Sequence, residues 1–458
     1  MDIEQTIPVQ KGWPLIGILP ELAQGDPFEY LKSVMLSQGD FVQLNIVNQP
    51  IYLVSHPDYL KRILRDNYLN YRKPDMFYNA SKELSENGLG TSSGELWLRQ
   101  RRMIQPHLHR KELFNLFSEM VEAISEVLNR KESVAKNGTE VEMGEIMGEI
   151  SINVTTRTMF GKGTLPATDV TAIGQRIMRM VNYIGKTLYS SMVPKWFPIP
   201  GRQAFLDDLD ATKETVRHII AKCRKEKETS ASLIQMLINS VDEESQQQMS
   251  EQQLFDEVMT IFTAGYETTA TALTWLSVVI KNNPSLMENL QAEIDTVLGG
   301  RNPCFEDVLR LTYTRQVFME ILRMYTPIPA LPRALNTADR LGNYDLAPNS
   351  LVLVFYHGVH YNPRVWDKPE VFNPERFTPE NMVGRHPFAY LPFSAGPRIC
   401  AGEDFAMLEG TLAIAMMLQK YNINVLPNQT FAARMGATMR PGNGVKATLS
   451  FRTSAEKS

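Results

Sequence analysis

The run Phe393-Ser394-Ala395-Gly396-Pro397-Arg398-Ile399-Cys400-Ala401-Gly402 places one cysteine in a short, glycine-flanked loop, and the residues after it open an amphipathic helix. Glycine at 396 and 402 lets the backbone turn sharply and brings N–H groups close to the sulfur. The positive end of the following helix favours deprotonation of the thiol. A thiolate held this way is a metal ligand. Arg398 supplies a cation two residues before it, Phe393 an aromatic surface, and Phe405 and Ala406 begin the packed face of the helix. A cysteine alone is most often a small core hydrophobe, so the reading rests on the whole spacing.

That spacing, F-x-x-G-x-R-x-C-x-G, resembles the haem-binding signature of the cytochrome P450 family. The resemblance implies that Cys400 is the axial ligand of a haem b iron (iron protoporphyrin IX), that Arg398 reaches a haem propionate, and that Phe393 lies beneath the porphyrin. It also implies O2 as co-substrate and an α+β, predominantly helical fold: the triangular cytochrome P450 body with a small strand-rich part attached. Further motifs follow in the family's order along essentially the whole chain.

The apolar stretch from Val258 to Ile280 reads as part of a long helix. Ser250 with Gln253 forms a capping box at its start, and Lys281-Asn-Asn-Pro284 stops it. Glu267 in its middle argues against a membrane span, and a helix apolar nearly all round must be buried. Within it, Ala264-Gly265-Tyr266-Glu267-Thr268-Thr269 is similar to the family's oxygen-activating segment. Small residues leave room there, and the Thr268 hydroxyl is placed to bond back to the Ala264 carbonyl and open a local groove. By resemblance Thr268 helps deliver protons to the reacting oxygen and Glu267 connects that delivery to solvent.

Glu320 and Arg323 stand i,i+3 on a helix, and Arg376 follows in Asn373-Pro-Glu-Arg-Phe377. An isolated pair of this kind is usually a solvated surface feature. The order E-x-x-R, then P-E-R-F, then the cysteine loop resembles the family, which makes Glu320, Arg323 and Arg376 a buried structural triad. Trp97 and Arg101, four apart on one helical face, are expected at a haem propionate edge, and Arg333 resembles another propionate partner. His360 reads as a structural residue.

The 458 residues form one expected haem domain, 1–458, since no linker, charge block or repeat divides them. A net charge of −4 excludes general nucleic-acid binding. Cys223, Cys304 and Cys400 are too few and too scattered for a disulfide framework, which suits a reducing compartment. The N-terminal residues show neither a signal peptide nor an anchor, so a soluble, cytoplasmic protein is expected. Pro27 to Gln38 reads as helix, as does nearly everything from Pro57 to about Gly300, with loops at 86–94 and 193–201. Segments 41–47, 51–55, 351–356 and 445–451 read as strands.

The resemblance places the substrate pocket at Leu89 and Gly90, Phe262, Thr263 and Ala264, Ile328, Ala330 and Leu331, and Ala437, with Met178 nearby. Gly90 leaves space where a bulky side chain often stands. Ile177, Met180, Val181, Ile184 and Leu188 recur at helical spacing as core or lid. The implied reaction is hydroxylation or epoxidation of an apolar small molecule such as a terpenoid, steroid, macrocycle or fatty acid. The absence of Arg or Lys from Leu44 to Ile51 gives the fatty acid no support. Two electrons are expected from a separate ferredoxin or flavodoxin with its NAD(P)H reductase. Arg99, Arg101, Arg102, His107, His109, Arg110 and Lys111 form a basic stretch, either a solvated face or the region that borders an acidic donor's docking surface. A peroxygenase, a haem-thiolate isomerase and a haem-based sensor or carrier are the rival readings, and Glu267 with Thr268 weighs against the first two.

Overall fold

The computed structural model of the chain describes residues 6–23, 26–47, 49–190, 199–225, 232–434, 436 and 438–452. Helices dominate, and their ends follow local chemistry. The Asp26 side chain accepts from the Phe28 and Glu29 amides to start Pro27–Gln38, with proline at the position where a missing N–H costs nothing. The central helix, Glu251–Asn282, is 32 residues long, about 48 Å at ~1.5 Å per residue. Ser250 Oγ accepts from the Gln253 amide at 3.1 Å. The reciprocal half of the expected capping box is replaced, because the Gln253 side chain accepts from Arg99 at 3.2 Å instead.

From Thr269 to Ile280 every residue of this helix is buried. No helix among the described residues is long and apolar enough to cross a membrane, and the apolar stretch is core. Between 260 and 268 burial fails most clearly along one stripe, with Thr260 and Thr263 half-buried beside it. Ile261, Gly265 and Thr268 are half-buried and Ala264 is exposed, at i, i+3, i+4, i+7 spacing. Phe262, Tyr266 and Glu267 stay buried. The helix thus presents one narrow open face midway along its length.

Strands β1 (Phe41–Ile46), β2 (Gln49–Val54), β3 (Tyr71–Arg72), β4 (Ala330–Leu335) and β5 (Leu351–Phe355) form a sheet in the order β1-β2-β5-β4-β3. Only the β2–β5 pair is parallel. β5 and the body of the first hairpin match the sequence expectation, but β2 starts two residues before the expected Ile51, with Gln49 and Pro50 paired to Ile46 and Asn45, and Asn48 lies outside the described residues. β4 was not foreseen, because Pro332 argues against a strand. It is tolerated because β3 pairs only with Ala334 and Leu335, which leaves Pro332 a neighbour on one side alone. A second sheet joins Glu140–Glu142, Lys446–Phe451 and Tyr421–Val425. Both β3 and Glu140–Glu142 interrupt the stretch expected to be helical, since strands this short carry no periodic signal. Of the expected 193–201 loop, residues 193–198 lie outside the described residues, as does the side chain of Leu188.

The helix Thr312–Met324 carries Glu320 and Arg323, neither of which has any exposed surface. Arg323 gives Glu320 two bonds, at 2.7 and 2.8 Å, and its remaining donors go to the carbonyls of His360 at 2.6 Å and Pro369 at 2.8 Å. Glu320 also accepts from the Asn373 amide at 2.9 Å and from Arg376 at 3.3 Å. A buried ion pair offsets its desolvation only when its spare donors and lone pairs are used in this way. His360, fully buried, accepts the Leu391 amide on Nε2 at 2.8 Å, while Nδ1 lies 3.0 Å from the Arg323 carbonyl. The proton therefore belongs on Nδ1, and burial lowers the ring's pKa to about 3. His360 fastens the segment leading to the cysteine loop.

Candidate active site

Gly396 lies at φ +71°, and a Cβ there would come within 2.0 Å of the Leu64 carbonyl oxygen, so only glycine lets the loop pass this close. Ser394 also has a positive φ, of 63°, and its hydroxyl lies 2.8 Å from that of Tyr356. The Cys400 amide closes the loop on the Phe393 carbonyl at 2.9 Å. Gly402, by contrast, has φ −93° and nothing within 4 Å of where a Cβ would be. Its contribution is its amide, which lies near enough to the sulfur to favour the thiolate. Cys400 is exposed, yet surrounding protein pushes its thiol up. The Gly402 amide and the Arg101 guanidinium act in the opposite direction. The thiol is thus reachable from solvent while protein crowds around it.

Cations converge beside this loop. Arg398 lies over the Trp97 ring, 4.1 Å from its centroid, and donates to the Ser92 carbonyl at 3.2 Å. Arg333, nearly fully buried, donates to the Tyr78 hydroxyl and the Pro332 carbonyl, both at 2.9 Å. Lys73 donates to the carbonyls of Gly90 at 2.5 Å and Ser92 at 3.3 Å. Burial, then the charges of Arg398 and Arg333, lowers the Lys73 pKa to about 6. Burial and Arg333 likewise bring Arg398 to about 10. Among the described residues, none of these three cations has a carboxylate partner. A desolvated cation cluster lacking an anion, beside a reachable cysteine, fits a metal-bearing group with its own carboxylates, as haem has.

Arg101 departs from its expected place. Instead of joining these cations it donates to the Ile399 carbonyl at 2.7 Å and to Gln105 at 2.6 Å. Phe393 is half-buried and packs against the main core. Ala401, next to the cysteine, packs into the same apolar cluster as Ile261 and Phe262 of the central helix.

On the open stripe of that helix, the Thr268 hydroxyl donates to the Ala264 carbonyl at 2.9 Å. Glu267, expected to connect proton delivery to solvent, is instead buried and turned away from it. One carboxyl oxygen accepts from Thr438 at 2.6 Å, the other has no hydrogen-bond partner among the described residues, and burial pushes its pKa up. Thr438 also lies 3.4 Å from Thr271, which lines a cleft of about 720 Å³ bordered by Met178 and Arg440. This cleft lies beside Tyr266 and Ala270, off the open stripe. Glu409, on the helix Glu403–Lys420, is fully buried and lacks a well-formed hydrogen bond among the described residues. Burial pushes its pKa up to about 8, although Ser151 and Thr269 lie near enough to oppose this.

The pocket residues divide. Leu89, Gly90, Ala264, Ile328, Ala330 and Leu331 all retain accessible surface, and a Cβ at Gly90 would meet only the Thr260 methyl, at 3.5 Å. Thr263 is half-buried with its hydroxyl on the Met259 carbonyl. Phe262 is corrected: it is buried on the opposite face, with its ring 5.3 Å from that of Phe160. Ala437 lies outside the described residues. The basic stretch is not one uncompensated surface. Arg102 pairs with Asp242 at 2.9 Å and Glu244 at 3.0 Å, Arg99 is engaged by Gln253 and the Gln248 carbonyl, and Arg101 turns inward. Lys73, Tyr78 and Thr438 escaped the sequence reading, for they stand in no motif and reach the site only through the fold.

A family model described as Cytochrome P450 matches residues 7–445. Protein LUTEIN DEFICIENT 5, chloroplastic, from Arabidopsis thaliana is 30% identical over 445 residues, covering 92% of this chain and 74% of that protein. Cyclooctatin synthase from Streptomyces melanosporofaciens is 30% identical over 438 residues, covering 94% and 93%. Carotene epsilon-monooxygenase, chloroplastic, from Arabidopsis thaliana is 29% identical, covering 94% and 83%. Among solved structures, the cytochrome P450DA heme domain superimposes with a TM-score of 0.90 at 22% identity, covering 98% of both chains.

Proposed function

Since the chain belongs to the cytochrome P450 family, a family of haem-dependent monooxygenases using O2, we propose that Cys400 ligates the haem iron and that the substrate is a bulky apolar molecule of the terpenoid class. The observation that carries this reading is the set of Lys73, Arg333 and Arg398 without an acid, beside a reachable cysteine. These three would hold the carboxylates of haem b, with Trp97 stacked under Arg398. Haem with a thiolate ligand supplies O2 activation and O–O cleavage.

The chain's own residues do the rest. Arg101 and the Gly402 amide stabilise charge on the Cys400 sulfur. Thr268, on the open stripe, holds a proton on Oγ1 for the reacting oxygen. Glu267, whose burial makes it keep its proton to higher pH than a solvated glutamate, resupplies it. Gly90 and Ala264 leave room for a bulky ligand, while Leu89, Ile328 and Leu331 exclude water. Glu320, Arg323 and Arg376 hold the cysteine loop in place and take no part in chemistry. Relatives named for carotene and cyclooctatin support the terpenoid class. Electrons come from a separate ferredoxin or flavodoxin with its NAD(P)H reductase, in the cytoplasm, to one haem domain spanning 1–458.

Two measurements test this. Cys400→Ser should lose the reduced-CO absorption of thiolate-bound haem, and Cys223→Ser and Cys304→Ser should keep it. Retention of that band in Cys400→Ser sinks the ligand assignment. Terpenoids should shift the haem spin state on titration. A response to fatty acids and none to terpenoids would overturn the substrate class.

A further inference from the structure

Segment 86–92 crosses between the cation cluster and the central helix, and each part of it is tied down by a different element. At its start, Glu86 has φ +43° and its side chain takes an ion pair from Lys213 at 2.6 Å, on the helix Arg202–Lys225. At its end, the Ser92 carbonyl accepts from Arg398 and Lys73. The middle rests on the central helix. The Leu89 amide donates to Glu257 Oε2 at 2.9 Å, and the Asn87 amide lies 3.4 Å from Asp256 Oδ2. Between them, a Cβ at Gly88 would fall 1.9 Å from Thr260 Oγ1 and 2.6 Å from the Asp256 carbonyl oxygen, so the two backbones touch there.

Glu257 has no exposed surface, and its other oxygen has no hydrogen-bond partner among the described residues. It lies four residues before Ile261 and seven before Ala264, in line with the open stripe. We propose that Glu257 is a positioning residue: it latches segment 86–92 onto the central helix and so sets how readily an apolar ligand passes beneath Leu89 and Gly90. The inference rests on reading that space as the ligand site. Burial raises the Glu257 pKa to about 8 against the opposing pull of the Leu89 amide. Near neutral pH it therefore accepts as a neutral carbonyl, a role that glutamine's amide reproduces.

The test uses the holoenzyme with Glu257→Leu, which removes the acceptor, and Glu257→Gln, which keeps it. Hydrogen exchange at the Leu89 amide reads the latch directly. Stopped-flow binding of 4-phenylimidazole to the haem reads entry. Glu257→Leu should speed exchange about tenfold, the size of one lost buried hydrogen bond, and speed 4-phenylimidazole association about threefold as the segment opens more often. Glu257→Gln should stay within about twofold of the parent on both. Unchanged exchange, unchanged association or a glutamine variant as fast as the leucine one overturns the latch. If Glu257→Leu does not fold, Gly88→Ala wedges the segment off the helix and should speed entry likewise, and an unchanged rate refutes the proposal. A parent protein without a reduced-CO band would defeat the haem reading alone, because Leu89 exchange still judges the latch.

Discussion

Arg101 donates to the main-chain carbonyl of Ile399 at 2.7 Å, which sets its guanidinium one residue from Cys400. The pair is electrostatic as well as structural, for burial pushes the thiol's pKa up and the arginine's charge works against that push. Arg101→Met keeps the length of the side chain and removes the charge. The reduced-CO spectrum of the variant should convert from thiolate to thiol character at higher pH than that of the parent. A pH titration showing the same midpoint would leave Arg101 as a brace for the loop only.

Thr268→Ala removes the hydroxyl on the open stripe and leaves the cysteine loop untouched. Haem content and reduction should survive, while product per NAD(P)H falls severalfold and hydrogen peroxide rises, the usual scale for a lost proton donor being about 10²-fold or more in a chemical step. Measuring product, peroxide and NAD(P)H with the same donor proteins decides it. An unchanged ratio would take Thr268 out of the reaction and revive the peroxygenase reading.

Arg323→Ala strips one partner from a fully buried pair and also abandons two carbonyls. Removing one member of such a pair costs about 3–5 kcal/mol, so little soluble, haem-loaded protein should be recovered. Normal yield with a melting temperature within a few degrees of the parent would contradict the geometry.

Glu409 carries a raised pKa of about 8 in the folded chain, against an ordinary glutamate value of 4.5. Between those values the folded state holds a proton that the unfolded state has lost. Its stabilising contribution is therefore complete at low pH and fades as pH rises towards 8, at up to about 1.4 kcal/mol per pH unit. Glu409→Gln should flatten the fall in melting temperature between about pH 5 and about pH 8. Glu257, raised for the same reason, leaves a smaller slope behind. An identical pH profile in the variant would show that the carboxyl ionises normally.

Local spacing carried what it could. The cysteine loop, the back-bond from Thr268 to Ala264 and the Glu320–Arg323 pair each depend on residues within ten positions, so the sequence displays them directly. The pocket wall was misread where three consecutive residues, Phe262 to Ala264, were placed on one side. A helix turns about 100° per residue, and Phe262 consequently faces Phe160 while Ala264 faces the opening. Lys73 and Thr438 were illegible for another reason. Each meets its partners across long sequence separations, and neither lysine before a proline nor a threonine in a loop signals that meeting.

Arg323, Arg376 and Arg385 hold main chain beside the one carboxylate of Glu320 that the first two share. Arg323 grips the carbonyls of His360 and Pro369, Arg376 those of Lys368 and Val371, and Arg385 those of Arg376 and Asn381. Every residue offers the same carbonyl, so the grip on Lys368, Pro369 and Val371 does not depend on which side chains stand there. The form of that stretch is thereby stored in three guanidinium groups and one carboxylate, away from the residues whose main chain they hold.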